Sequence, residues 1–154
     1  MEKLKKLLPG MPAPAFSAVD QNGETISLEQ FRGKKLVLYF YPKDNTPGCT
    51  AEACDLRDHY SRFLDQGYEI LGVSADSQKS HQKFISKYEL PFKLISDVDK
   101  NLLKAYNAWG EKKLYGKSYF GVIRKTFIIS EEGEIEKIIE NVKTKEHSKQ
   151  IFED

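Results

Sequence analysis

The run Lys35 to Tyr41, K-L-V-L-Y-F-Y, constrains the fold more than any other part of the chain. It is apolar at successive as well as alternate positions, so a strand here must be covered on both faces, as a central strand of a largely parallel sheet is. Pro42 stops it. Tyr68 to Ala75, Y-E-I-L-G-V-S-A, repeats the pattern. Between the two runs, Pro47 to Gln66 carries helix signals: Thr46 as N-cap, Pro47 at the first helical position, Glu52 in the early turns and Gly67 as the stop. These segments predict a strand, helix, strand unit with a right-handed crossover.

A second helix is expected over Gln78 to Tyr88, ending before Pro91, with a short apolar segment at Phe92 to Ile95. Thr126 to Ser130 and Glu134 to Ile139, joined by E-E-G-E, read as a hairpin, and the chain turns helical again from about Lys145. A weaker pair, Phe16 to Val19 and Thr25 to Leu28 around the turn Q-N-G, predicts an added N-terminal hairpin. Ala108 to Gly121, with three glycines and Trp109, reads as an irregular insertion in which Trp109 and Tyr115 pack within the loop. The order resembles a thioredoxin-like α/β fold: a central mixed β-sheet flanked by helices, with the N-terminal hairpin added. At 154 residues, 1–154 are expected to form a single domain.

Charge excludes several partner classes. With 24 basic against 23 acidic residues and a net charge of +1, neither nucleic acid nor an acidic membrane surface is an expected partner. The N-terminal M-E-K-L-K-K-L-L is followed by Pro9 and Gly10, too short an apolar stretch for a secretory leader or a membrane span, so a cytoplasmic location is expected. In a reducing compartment the two cysteines, Cys49 and Cys54, are expected to serve catalysis, redox sensing or metal binding rather than as a permanent staple. Zinc is disfavoured, because structural sites want four ligands and His59, His81 and His147 are scattered singly.

If the helix begins near Thr46, Cys49 lies in its first turn, where free backbone N–H groups and the positive dipole end favour a thiolate, the nucleophilic form of the side chain. Cys54 lies deeper and lacks that support. Five residues of ideal helix separate the two Cα atoms by roughly 8–9 Å. A disulfide needs less than about 7 Å, so the thiols cannot bond while the helix is intact. That spacing suits chemistry in steps, one sulfur reacting before the other. His59, ten residues along the helix and ~15 Å away, is not a partner base for Cys49 and reads as a surface histidine.

Pro42, Thr46 and Cys49 match P-x-x-x-T-x-x-C, and T-P-G-C-T-A-E with Cys54 following resembles the Q-type peroxiredoxins, also called bacterioferritin comigratory proteins. The likeness runs from P-G-M-P-A-P-A-F through W-G-E-K-K-L-Y-G-K to G-V-I-R-K-T-F-I-I. It implies a thiol peroxidase acting on hydrogen peroxide and organic hydroperoxides, with no metal, haem or flavin cofactor. Cys49 would be the peroxidatic cysteine, Cys54 the resolving cysteine that closes an intramolecular disulfide, and thioredoxin or a similar dithiol the reductant. Arg124 would be the active-site arginine, Thr46 would orient a peroxide oxygen, and Pro42 would shield the sulfur. Glu52 is either an ion-pair partner that holds Arg124 or a solvated helix carboxylate. No cysteine lies near residue 154, which points away from resolution across a dimer interface, and a monomer is expected, with a dimer admitted by the resemblance. Two other functions fit a pair of thiols on this fold: a thiol-disulfide oxidoreductase, and a non-enzymatic redox sensor or holdase.

Overall fold

The structure is a computed structural model that describes residues 6–153; Met1 to Lys5, within the N-terminal stretch read above as too short for a leader, and Asp154 lie outside it. The strands are β1 (Ser17–Val19), β2 (Thr25–Ser27), β3 (Lys35–Phe40), β4 (Tyr68–Ser74), β5 (Lys93–Ser96), β6 (Trp109–Leu114), β7 (Lys117–Val122), β8 (Lys125–Ile129) and β9 (Ile135–Ile139). The α-helices are α1 (Pro47–Asp58), α2 (Tyr60–Asp65), α3 (Gln78–Tyr88), α4 (Asn101–Ala105) and α5 (His147–Phe152). Five strands form the main sheet in the order β5-β4-β3-β8-β9. The β3–β4 and β4–β5 pairs are parallel, whereas β3–β8 and β8–β9 are antiparallel.

The double-sided apolar character of β3 is used as expected. Val37, Tyr39 and Tyr41 face one layer, packing with Cys49, Ala53 and Leu56 of α1, Phe63 of α2, Phe84 of α3 and Ile151 of α5. Leu36, Leu38 and Phe40 face the other, against Leu102 and Leu103 of α4, Tyr106, and the N-terminal residues Leu7, Ala13 and Ile26. Side chains of a strand alternate between faces, so one seven-residue run nucleates two cores. The N-terminal hairpin forms as β1 and β2, the C-terminal hairpin falls within a residue of its expected limits, and α3 has its expected limits. No helix among the described residues is long and apolar enough to cross a membrane.

Three segments depart from the sequence reading. The helix expected over Pro47 to Gln66 is two helices broken at His59, where the backbone reaches φ −110°, ψ 10°. The cause is competition for one acceptor: the Asp55 carbonyl takes the Ser148 hydroxyl at 3.2 Å and has His59 Nδ1 at 2.8 Å, while the His59 N–H turns to Leu56. The segment read as an irregular insertion is instead a regular antiparallel ribbon, β6 with β7. Its two-residue turn, Tyr115–Gly116, has φ values of 52° and 78°, the doubly left-handed turn that matches strand twist. A tyrosine is an uncommon occupant there, and it packs against nothing: Tyr115 is 96% exposed. The third departure is α4, whose five residues are too few to show a helical period in the sequence.

Gly72 sits mid-β4, opposite Tyr39. A methyl group there would stand 2.6 Å from Leu94 Cδ2 and 2.9 Å from Tyr39 Cζ. Gly72→Ala is expected to lower stability by ~1–3 kcal/mol through overpacking, read as a lower urea midpoint at unchanged slope.

Candidate active site

Helix α1 begins where the sequence predicts, and its buried positions Cys49, Glu52, Ala53 and Leu56 follow the three- and four-residue spacing of one helical face. Cys49 and Glu52 therefore point the same way, into the layer over β3, while Cys54 lies off that stripe and is half-buried. Both thiols are free, and both lie on the uninterrupted α1. Thr46 occupies the N-cap position with extended backbone, but its hydroxyl does not cap: it donates to the Lys43 carbonyl at 2.8 Å. The expected capping bond is thus replaced by one that closes the preceding loop. The first turn of α1 carries no acidic residue, which leaves its positive end uncompensated beside Cys49.

Arg124 is brought in by the sheet. Register pairs Phe40 with Lys125, so the residue preceding β8 lies beside the end of β3, just before half-buried Pro42 and the turn into α1. From there Arg124 Nη2 donates to Cys49 Sγ at 3.1 Å and Nη1 to Glu52 Oε1 at 2.6 Å, across 75 and 72 residues of sequence. Glu52 is fully buried, so of its two readings the ion pair is the one realised. Burial pushes the Glu52 carboxyl up to about 7, against the pull of Arg124. Burial works against the Arg124 charge as well, but Glu52 and Cys49 more than offset it and hold the guanidinium above its ordinary value.

Two histidines that sequence reading scattered are parts of this architecture. His147, buried at the start of α5, has Nε2 2.7 Å from Thr126 Oγ1 and 3.5 Å from Glu52 Oε2. Burial lowers its pKa, against a raising contribution from Gln150. His81, buried on α3, has Nδ1 2.7 Å from Asp44 Oδ2 and Nε2 2.9 Å from the Ile95 carbonyl. Asp44 also accepts from the Tyr41 hydroxyl and from Ser80, and its N–H donates to Asp76 Oδ2 at 2.8 Å. Asp44, Asp76 and His81 are close enough together to share a cation, but these hydrogen bonds give the cluster a different job, that of pinning the loop between β3 and α1. His59 is the partly exposed histidine expected, 3.6 Å from Asp55. Only a long-range fold could have revealed the roles of His147 and His81, since each is alone in its own stretch of sequence.

The arrangement places a thiol at a helix N-terminus, under a guanidinium, with a hydroxyl-bearing threonine three residues before it. Such a site can hold a thiolate and stabilise charge on a leaving oxygen.

Comparison with known proteins supports this chemistry. A sequence profile of the AhpC/TSA family matches residues 9–138. The putative peroxiredoxin bcp of Helicobacter pylori strain J99 is 47% identical over 150 residues, covering 97% of this chain and 99% of that protein. Peroxiredoxin Bcp of Bacillus subtilis strain 168 is 47% identical over 138 residues, 90% of this chain and 88% of that one. Among solved structures, a cysteine-to-serine mutant of Xylella fastidiosa PrxQ superposes with a TM-score of 0.89 at 32% identity, covering 96% of this chain and 94% of that one. The bacterioferritin comigratory protein of Xanthomonas campestris superposes with a TM-score of 0.83 at 39% identity, covering 88% and 87%. With its thioredoxin-like sheet, its cysteine at the head of α1 and relatives matched over nearly its whole length, the chain belongs to the AhpC/TSA family, as a peroxiredoxin of the Bcp/PrxQ kind.

Proposed function

We propose that the protein is a single-domain, thioredoxin-dependent peroxidase in which Cys49 attacks the peroxide and Cys54 resolves the product. The observation that carries this reading is the Arg124 N–H on Cys49 Sγ at 3.1 Å, at the uncapped head of α1. The thiolate attacks one peroxide oxygen, forming an S–O bond and breaking the O–O bond; the electron pair leaves with the second oxygen, which takes a proton as water or alcohol. Arg124 compensates charge first on sulfur and then on the leaving oxygen. Thr46 orients the peroxide, the Cys49 N–H donates to it, and Pro42 excludes bulk water. Glu52 holds the guanidinium in place.

The Cys49 sulfenic acid is then attacked by the Cys54 thiol, releasing water and closing an intramolecular disulfide, which a thioredoxin-type dithiol reduces. Alkyl peroxide reduction, the activity named for the Xanthomonas relative, supports organic hydroperoxides as substrates beside hydrogen peroxide. The protein works as a cytoplasmic monomer. The alternative of direct dithiol–disulfide exchange sits poorly with two cysteines whose Cα atoms are ~8–9 Å apart on one helix. Turnover separates the peroxidase from a redox sensor, because a sensor oxidises once whereas a peroxidase consumes peroxide as long as reductant is supplied.

Cys49→Ser is expected to abolish peroxide turnover in a thioredoxin-coupled assay; retained turnover would overturn the mechanism. Arg124→Ala is expected to slow the reaction with peroxide at least tenfold, since losing a charge-assisted donor at a developing charge costs ~2–4 kcal/mol. Cys54→Ser should react once with peroxide, accumulate a sulfenic acid that a specific trapping reagent detects, and fail to turn over with thioredoxin. Disulfide closure must open α1, so amides from Thr50 to about Arg57 should exchange faster in the oxidised than in the reduced protein. Equal protection, with the disulfide confirmed by mass, would refute that opening.

A further inference from the structure

The Glu52 carboxylate has one oxygen accounted for and one not. Oε1 accepts from Arg124, while Oε2 is fully buried and has no hydrogen-bond partner. Opposite it, at 3.5 Å, is His147 Nε2. Which proton His147 carries follows from its neighbours. Gln150 Nε2 donates to the Asn141 carbonyl and Gln150 Oε1 accepts the Lys143 N–H, so the amide orientation is fixed. Oε1 also lies 2.9 Å from His147 Nδ1, which must therefore be the protonated nitrogen. Nε2 of the neutral ring then presents a lone pair, used by the Thr126 hydroxyl at 2.7 Å. Oε2 and Nε2 thus face each other across a dry gap; a proton there sits on Oε2, or on Nε2 with the Thr126 hydroxyl turned from donor to acceptor.

We propose that Glu52 and His147 form a buried pair that binds one proton, and that His147 is thereby a positioning residue that sets, through Glu52 and Arg124, how firmly Cys49 is held as a thiolate. The inference rests on the reading of Cys49 as the peroxide-reacting thiol. One guanidinium serves two groups that can both be anionic, the Cys49 sulfur and the Glu52 carboxylate. When the pair holds its proton, the Arg124 charge goes to the sulfur. When Cys49 becomes an uncharged sulfenic acid, Glu52 takes the whole guanidinium charge and the pair releases the proton to solvent. One proton released matches the one that the leaving oxygen takes up, so the active site changes its charge little over the step.

The remaining groups around the pair leave this balance in place. Tyr39 on β3 stays neutral, its pKa driven well above the ordinary value by burial and by the Glu52 charge. Asp55 on α1 acts on both members, raising the affinity of each for a proton, while Lys137 on β9 and Arg124 oppose a proton on His147. The position of Glu52, about 7, puts the exchange near neutrality, on the carboxyl side of the pair, since burial lowers His147.

The test is a carbon-13 NMR titration of the Glu52 carboxyl in the reduced Cys54→Ser protein, with the Cys49 thiolate followed by its ultraviolet absorbance in the same samples. In the parent, Glu52 should titrate near 7. His147→Phe keeps a ring of similar size but removes both nitrogens, and with them the lone pair that faces Oε2. It is expected to lower the Glu52 proton affinity at least tenfold and to move thiolate formation to higher pH. Glu52→Gln, which keeps a polar contact to Arg124 without a charge, should move thiolate formation to lower pH and serves should His147→Phe fail to fold. A Glu52 midpoint in the ordinary carboxylate range, or one unmoved in His147→Phe, overturns the shared proton, as does a Glu52→Gln protein with parental thiolate titration. Peroxide turnover is measured separately in the protein that keeps both cysteines, and its absence there overturns the peroxidase reading and not the protonation result.

Discussion

The guanidinium of Arg124, spanning Cys49 and Glu52, is the contact on which the rest of the site depends. A fully buried carboxylate and a largely buried arginine cost several kcal/mol each to take out of water, and their attraction repays this only with good geometry. Such a pair is a poor source of stability and a strong source of position. Removing one partner typically costs ~3–5 kcal/mol, because the other is left charged and dry. The geometry depends in turn on the sheet, since the pairing of β8 with β3 is what carries Arg124 to the head of α1.

Helix α1 is under two opposed demands. To present Cys49 it must be intact, with its first turn pointing at Arg124, and the proposed disulfide with Cys54 requires those same turns to open. Helix α1 is anchored at both ends, by Arg124 on Cys49 and Glu52 near its head and by α5 toward its tail. Ser148 of α5 binds Asp55 through both its N–H and its hydroxyl, and the helix breaks one turn later at His59. The buried stripe Cys49, Glu52, Ala53 and Leu56 runs along the helix, while Thr50, Ala51 and Cys54, off that stripe, are only partly covered. Ser148 keeps Asp55 tied to α5, so the opening that the proposed disulfide requires falls on the turns from Cys49 to Cys54.

On the other side of Cys49 the chain is rigid for a different reason. Asp44 collects hydrogen bonds from Tyr41 and Ser80 and faces His81, while its own N–H is held by Asp76, which also accepts from Ser74 at the end of β4. This network fixes the segment that carries Pro42 and Thr46 to two neighbouring elements. A satisfied polar network in a buried setting specifies one geometry, and here it specifies where the head of α1 starts.

Much of this was legible in the sequence, because the signals are local. The apolar runs gave β3 and β4, and Pro47 after Thr46 located the start of α1 and hence Cys49. The turn residues gave both the N-terminal and the β8–β9 hairpins. The β6–β7 ribbon escaped because it is exposed on most of its surface and so lacks a hydrophobic alternation, and α4 is too short to show a period. The break at His59, the burial of Glu52 against Arg124, the partnership of His147 with Glu52 and that of His81 with Asp44 were decided only in three dimensions. Each depends on which face of one segment meets another dozens of residues away, and on whether a polar side chain finds its partner in a dry interior or in water.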